Sequence, residues 1–168
     1  MLILIRGPAA AGKSEAAKLL QKRLGKKTAL IEMDKLYYEV LQNDIDHEMV
    51  LECAAKMADT FMAKGYDVIV EGVLTVPYDK NKEKLRLEKL TRSAKKHKTE
   101  CKIFFFDVEL PVALARDKER YGKTRAFVKK LHRKTRDRKH PDEIRIDVSE
   151  LSVKQTVNRI IKSLSQSA

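Results

Sequence analysis

The amino-acid sequence predicts a single α/β domain built on a parallel β-sheet with helices on both faces. Short apolar segments alternate with longer amphipathic segments along the chain, which is the pattern of repeated strand–helix–strand units. The apolar segments are continuous rather than alternately apolar and polar, as is typical of strands buried on both faces. The chain of 168 residues has the length of one domain, 1–168, without a linker or an internal repeat.

Five short apolar segments are the predicted strands, at residues 1–5, 28–33, 68–70, 102–108 and 144–148. Between the first two, residues 13–24 repeat Ala and Leu at helical spacing, and Gly25 follows as a typical helix end. The other predicted helices lie at residues 36–41, 49–63, 79–98, 111–120 and 153–164. Pro111 suits the first turn of its helix, where the missing N–H costs nothing.

The net charge of +12 is concentrated in two segments. Residues 116–140 carry twelve Lys or Arg against three acids, and residues 80–102 carry ten against three. Residues 32–52 have the opposite bias, with seven acids and one base. The basic segments predict contact with polyanions, either nucleotide phosphates or nucleic acid, and the alternative is that they are solvated helix faces.

Residues 7–14 read Gly-Pro-Ala-Ala-Ala-Gly-Lys-Ser and fit the phosphate-binding motif G-x-x-x-x-G-K-[ST]. The motif lies between a predicted buried strand and an amphipathic helix, so backbone N–H groups can surround a phosphate chain at the positive end of that helix. Lys13 is predicted to reach the β- and γ-phosphates, and the Ser14 hydroxyl is the predicted Mg²⁺ ligand. The predicted nucleotide-binding residues are Gly7, Ala9, Ala10, Ala11, Gly12, Lys13, Ser14 and Glu15.

Two common classes of nucleotide hydrolase do not fit the sequence. A GTPase needs the base-reading motif N-K-x-D, whereas residues 81–84 read Asn-Lys-Glu-Lys. Motor and AAA-type ATPases carry adjacent Asp and Glu after an apolar strand, whereas Val108 separates Asp107 from Glu109. The sequence therefore favours a small phosphotransferase.

In this motif, and in the residues at the ends of the predicted strands, the chain resembles the P-loop small-molecule kinases. These include shikimate, gluconate and adenylylsulfate kinases. Asp34 and Gly122-x-x-Arg125 are most similar to chloramphenicol phosphotransferase, and Glu71-Gly72 with Thr75 nearby resembles the zeta-toxin group. The resemblance covers about residues 2–164. It implies the three-layer P-loop NTPase fold, a five-stranded parallel sheet of order 2-3-1-4-5 and a mobile basic lid at residues 116–140. The implied reaction uses ATP and Mg²⁺ and transfers the γ-phosphate to a hydroxyl group of a small molecule.

The resemblance also implies catalytic roles for individual residues. Asp34 matches the carboxylate that accepts the proton of the acceptor hydroxyl, and the alternative is that it caps the following helix. Glu71 is expected either to contact the acceptor or to hold a water on Mg²⁺. Lys13 and three lid residues, Arg116, Arg120 and Arg125, are expected to stabilise the transferred phosphoryl group. Weaker candidates in the same segment are Arg133, Arg136 and Arg138, and residues 148–151 are expected to form the loop over the adenine.

The acceptor is expected to bind between the second and third strand ends, at residues 34–62, with Asp34, Tyr37 and Glu71 as its contacts. The region also contains Tyr38, Asp44, Asp46, His47 and Glu48. Acidic walls suit a polyol or an amine-bearing acceptor better than a phosphorylated one. The alternatives are a nucleoside, nucleotide or polynucleotide 5′-hydroxyl kinase, and an ATP-binding module that transfers no phosphate.

The sequence indicates neither a zinc site nor binding to a membrane. Cys53 and Cys101 show no C-x-x-C spacing, and both thiols are expected to be buried. The four histidines, His47, His97, His132 and His140, show no metal-ligand spacing and are predicted to lie on the surface. No apolar stretch approaches the ~18 residues of a membrane span. A cytoplasmic monomer or homodimer is expected, with the small-molecule acceptor as its partner and nucleic acid as the alternative.

Overall fold

The computed structural model describes residues 1–41, 46–74, 80–120, 125–137 and 139–166, with the side chains of residues 80–86 and 119–120 left out. Its strands form one parallel sheet in the order β2-β3-β1-β4-β5. They are β1 (Leu2–Arg6), β2 (Thr28–Glu32), β3 (Asp67–Gly72), β4 (Cys101–Asp107) and β5 (Glu143–Asp147). The predicted α/β fold, including the strand order, is therefore confirmed.

Helices connect the strands and cover both faces of the sheet. They are α1 (Lys13–Leu24), α2 (Met33–Lys35), α3 (His47–Ala63), α4 (Lys80–Lys96), α5 (Leu110–Arg120), α6 (Arg125–Arg136) and α7 (Val153–Ser165). The helix predicted at residues 36–41 instead begins at Met33 and continues as a π-helical turn over Leu36–Val40. Asp34 therefore lies inside the first turn and the N-cap is Glu32, so the alternative cap role of Asp34 is wrong.

The sheet is buried on both faces because neighbouring residues of each strand point to opposite sides. Ile3 and Ile5 belong to a buried cluster with apolar residues of α1 and α7, whereas Leu2 and Leu4 belong to a second cluster with those of α3 and α4. All four side chains are fully buried, and burial of each contributes roughly 1.5–3 kcal/mol. This double burial explains why the strands are continuous apolar segments in the sequence.

Helix α6 is held against the carboxyl end of β4. The residues on its buried side are Val128, His132 and Thr135, spaced by four and three positions. The His132 Nε2 atom lies 2.7 Å from the carbonyl oxygen of Val108, directly beyond β4. The prediction that His132 lies on the surface is therefore wrong. The many charged residues around His132 hide the buried side of α6 in the sequence, so the sequence predicts that this histidine is exposed to solvent.

The cysteines also differ from expectation. Cys53 is exposed on α3 and Cys101 is only partly buried at the start of β4. Burial and the neighbouring carboxylates of Asp142 and Glu100 raise the pKa of the Cys101 thiol to about 11. The prediction that both thiols are buried is wrong for Cys53, because position 53 falls on the solvent side of an amphipathic helix.

No helix within the described ranges is long and apolar enough to cross a membrane.

Candidate active site

The phosphate-binding loop between β1 and α1 has a backbone that depends on glycine. At Gly7, φ is +152° and a Cβ would lie 2.6 Å from the Phe106 carbonyl oxygen on neighbouring β4. Gly12 and Ala10 have left-handed φ values of 80° and 59°, and successive residues of such mixed handedness turn their N–H groups toward one side. The loop therefore has the shape of an anion-binding nest at the N-terminus of α1.

Lys13, Ser14 and Glu71 meet at this loop. Lys13 is only 8% exposed, and its Nζ atom donates to the Pro8 carbonyl oxygen at 2.8 Å. The Ser14 hydroxyl donates to Glu71 Oε1 at 3.0 Å. Glu71 is 2% exposed at the end of β3, directly beside Ile5 of β1 in the register. The structure thus joins the predicted metal ligand to the strand-end carboxylate that the sequence singled out.

The carboxyl group of Glu71 titrates above its ordinary value. Burial raises its pKa most, and the nearby Asp34 and Glu32 raise it further, whereas the charge of Lys13 and the Ser14 hydroxyl oppose the shift. A folded-state pKa above the unfolded value means that the ionised form costs folding free energy. This cost is absent below the ordinary pKa of 4.5 and grows as the pH rises through the folded-state pKa.

Glu71→Gln is therefore expected to raise the melting temperature at pH 7.5, because it removes the buried charge while its amide oxygen still accepts from Ser14. The gain over the parent protein should shrink as the pH falls to 4.5, the ordinary pKa of this group. Differential scanning calorimetry across this pH range measures it. The matched control is Glu150→Gln at an exposed position. A variant that is less stable than the parent at pH 7.5 would contradict the prediction.

Asp34 lies beside Glu71 because α2 packs closely on the end of β3. A Cβ on Gly72 would lie 2.9 Å from the side chain of Met33, so only glycine admits this approach. Asp34 is exposed at this edge of the sheet, and its charge acts on the Glu71 carboxyl group. The structure therefore brings together the proposed proton acceptor and the phosphate-loop residues.

A cavity of about 330 Å³ adjoins the loop on the side of α1 and α7. It is lined by Ala10, Ala11, Gly12, Glu15, Ala16, Phe106, Arg116, Val148, Leu151, Ser152, Val153 and Thr156. The rim at α7 is built by a capping box in which the side chains of Ser152 and Gln155 satisfy each other's backbone N–H groups. The α7 residues of this cavity were not predicted from the sequence, although the S-x-x-Q spacing at residues 152–155 signals the cap. Val148 and Leu151 lie where the adenine loop was expected.

Arg116 joins α5 to the segment that follows β5. Its Nη2 atom donates to the carbonyl oxygens of Val148, at 3.1 Å, and Ser149, at 3.0 Å. The guanidinium therefore supports the wall of the cavity, whose lining it shares with residues 10–12 of the phosphate loop. Its contact with the γ-phosphate stays a prediction.

The other predicted arginines divide into three groups. The side chain of Arg120 and all of Arg138 lie outside the described residues, as do Gly122 and Thr75. Arg125 and Arg133 are exposed on α6. Arg136 forms an ion pair with Asp107, with Nε at 2.9 Å from Oδ1. The catalytic roles of Arg120 and Arg125, and the lid itself, stay predictions.

Some of the acidic residues that were predicted to line the acceptor site have structural roles instead. Asp46 accepts from the N–H groups of Glu48 and Met49 and caps α3, and Glu48 pairs with Lys89 of α4 at 3.1 Å. Tyr37 is half-buried with its ring edge-on to His47 at 5.1 Å, and Asp44 lies outside the described residues. Two of the acids therefore serve helix capping and the α3–α4 contact, and the polarity of the wall does not identify an acceptor.

The residues at the loop fit a nucleotide with Mg²⁺. The Ser14 hydroxyl and the Glu71 carboxylate offer the hard oxygen atoms that Mg²⁺ prefers, beside a backbone nest suited to phosphate. No cluster of three or more His, Cys, Asp or Glu suited to a metal occurs among the described residues. Mg²⁺ is commonly held by one or two protein oxygen ligands together with substrate phosphates, and Ser14 and Glu71 could supply such ligands.

A family model described as an AAA domain matches residues 2–159. The chain is similar in fold to an APS kinase of Mycobacterium tuberculosis (TM-score 0.72, 18% identity, covering 98% of this chain and 96% of that one). It is also similar to a gluconokinase of Sinorhizobium meliloti (TM-score 0.70, 18% identity, 99% and 92% covered). A third similar structure is a shikimate kinase of Aquifex aeolicus (TM-score 0.65, 18% identity, 99% and 98% covered). No curated protein matches this chain in sequence.

The family match over residues 2–159 agrees with the predicted resemblance to the P-loop small-molecule kinases. The resemblance to shikimate, gluconate and adenylylsulfate kinases is confirmed at the level of the fold.

Proposed function

The chain belongs to the AAA-domain family whose model matches residues 2–159, and on that premise we propose that it is a kinase that transfers the γ-phosphate of ATP to a hydroxyl group of a small molecule. The observation that carries the proposal is the Ser14–Glu71 hydrogen bond of 3.0 Å beside Lys13, with Asp34 at the adjoining strand end. A phosphate-binding loop and a carboxylate suited to proton acceptance thus share one edge of the sheet. The kinases of similar fold support the same reading.

In the proposed reaction each residue has a distinct task. The loop N–H groups and the Lys13 ammonium bind the β- and γ-phosphate oxygens, and Glu71 orients the Ser14 hydroxyl. Mg²⁺, when bound at the Ser14 hydroxyl, would neutralise charge on the phosphates. Asp34 accepts the hydroxyl proton as the acceptor oxygen bonds to the γ-phosphorus and the bond from that phosphorus to the β–γ bridging oxygen breaks. The cavity supported by Arg116 is assigned to the nucleotide base.

The experiment that tests this proposal is transfer of label from γ-labelled ATP in the presence of Mg²⁺. The acceptors are nucleosides, sugars, polyols and aminoglycosides, with a 5′-hydroxyl oligonucleotide alongside. Lys13→Ala should abolish transfer, and the matched control is Lys22→Ala, an exposed lysine on the same helix. Label on a small molecule, lost only with Lys13→Ala, is the expected result.

Other outcomes would assign the site differently. Transfer to the oligonucleotide alone would replace the small-molecule acceptor by a polynucleotide. ATP binding through Lys13 without transfer to any acceptor would favour a nucleotide-binding module. A cytoplasmic location and a monomeric or homodimeric state stay predictions.

A further inference from the structure

Helix α6 carries a basic face of which only Arg125, and more weakly Arg133, has a predicted role in phosphoryl transfer. The helix contains six Lys or Arg and no acidic residue. Four of these bases, Arg125, Lys129, Lys130 and Arg133, are exposed, and none of the four has a hydrogen bond or ion pair to another described residue. These four residues are called the α6 basic face below. Such a concentration of like charge costs self-repulsion and is suited to a polyanion.

The orientation of α6 places Lys130 away from the nucleotide. Val128, on the buried side of the helix, belongs to the same buried cluster as Ala11 of the phosphate loop. His132 on that side contacts the Val108 carbonyl oxygen. Lys130 follows Val128 by two positions, about 200° around the helix, and therefore lies on the far side from the loop. The phosphates of a bound nucleotide do not account for the charge of Lys130.

The spacing of the basic face suits an extended chain of phosphates. Arg125, Lys129 and Arg133 follow at intervals of four residues, so they form a stripe with steps of about 6 Å along the helix axis. Phe127 is 42% exposed and neighbours Lys130, three positions after it, on the flank of the α6 basic face that lies away from Arg125 and Lys129. Cations that track a backbone, with an exposed aromatic ring beside them, are the combination by which proteins bind single-stranded nucleic acid.

We propose that the α6 basic face is a binding surface for single-stranded nucleic acid. The cations contact backbone phosphates and Phe127 stacks on a base. Because α6 is fixed to the carboxyl end of β4, a strand bound there lies at the rim of the same edge that carries the phosphate loop. This binding requires no nucleotide and no phosphoryl transfer. The proposal can therefore be tested independently of the proposed kinase activity.

The test is fluorescence anisotropy with a labelled 20-nucleotide single strand of mixed sequence, at several salt concentrations and without ATP. Lys129→Glu/Lys130→Glu is compared with Lys26→Glu/Lys27→Glu, a charge-matched pair of exposed lysines before β2. The α6 pair should lose at least tenfold in affinity and flatten the plot of log affinity against log salt by about 1.4. The control pair should stay within about twofold, because its lysines lie off the proposed path. Phe127→Ala should weaken binding about 5- to 100-fold without changing the salt slope.

Three results would overturn the proposal. The first is no binding by the parent protein at physiological salt. The second is an equal loss in both charge-reversed pairs, which would reflect net charge alone. The third is binding to vesicles containing phosphatidylserine, but not to the oligonucleotide, which would assign the face to a membrane surface instead. Circular dichroism of each variant establishes that α6 remains folded.

Discussion

Asp34→Asn is expected to lower the rate of phosphoryl transfer by about 10²- to 10⁴-fold, the usual contribution of a positioned general base. Asparagine keeps the size of the side chain but cannot accept the hydroxyl proton. Asp34 does not line the cavity assigned to the base, so the affinity for ATP should change by no more than about twofold. The loss should therefore appear in kcat rather than in the KM for ATP.

Steady-state kinetics with the acceptor identified by label transfer, together with calorimetric titration of ADP, separate these two quantities. Glu39→Gln is the matched control, since Glu39 is an exposed carboxylate in the π-helical turn that follows α2. It should retain the parent rate. A transfer rate for Asp34→Asn above a tenth of the parent value would remove Asp34 from the catalytic role. Equal losses in both variants would point instead to the local negative charge.

The sheet and the phosphate loop were predictable because local sequence determines them. Continuous apolar segments such as residues 2–5 have few alternatives to a strand buried on both faces. The loop motif prescribes glycine at the two positions where backbone approach or a left-handed φ demands it, Gly7 and Gly12. The carboxyl-edge location of Asp34 and Glu71 then follows from the parallel sheet.

The features that could not be predicted from the sequence depend on contacts between residues that are far apart along the chain. The tie from Arg116 to the Val148 and Ser149 carbonyl groups joins residues more than 30 positions apart, and helix spacing cannot show which partner a guanidinium will choose. The buried face of α6 was hidden because its anchor His132 bonds to a backbone carbonyl, which leaves no signature in residue types. The partner of Arg6 is equally hard to predict, since an arginine in an apolar strand signals only that a partner must exist.

The partner of Arg6 is Glu143 at the start of β5, and this pair leads to a large expected effect on stability. Both side chains are nearly inaccessible, at 2% and 3% exposure, and Arg6 Nη1 contacts Glu143 Oε2. The Arg6 guanidinium also lies 4.9 Å from the centre of the Phe105 ring, with the Arg145 guanidinium 4.3 Å from that centre. Arg145 Nε lies 3.8 Å from Glu143 Oε1, so removal of Glu143 would take away the carboxylate that both cations share. Arg145 would keep its contact with Asp107 at 3.6 Å, whereas Arg6 would lose this buried ion pair.

Glu143→Gln is therefore expected to lower the free energy of unfolding by about 3–5 kcal/mol, as is usual when one partner of a buried ion pair is removed. Guanidinium chloride unfolding should show a lower midpoint with an unchanged slope. The control is Asp142→Asn, the neighbouring carboxylate, which is 84% exposed and should cost no more than about 0.5 kcal/mol. A midpoint for Glu143→Gln within error of that control would show that the Arg6 charge does not depend on Glu143.

A double variant separates the charge from the packing. Arg6→Met/Glu143→Met removes both charges together, and replacing a buried ion pair by apolar residues of similar volume is often neutral or stabilising. It should therefore recover most of the stability that Glu143→Gln loses. Arg6 directly precedes Gly7 of the phosphate loop, and its Nη2 atom lies 3.5 Å from the Thr135 carbonyl oxygen of α6. If the double variant is stable but binds ATP weakly, the Arg6–Glu143 pair serves to position the phosphate loop against α6. If the double variant is as unstable as Glu143→Gln, the loss of stability comes from altered packing around Phe105 rather than from the unpaired charge.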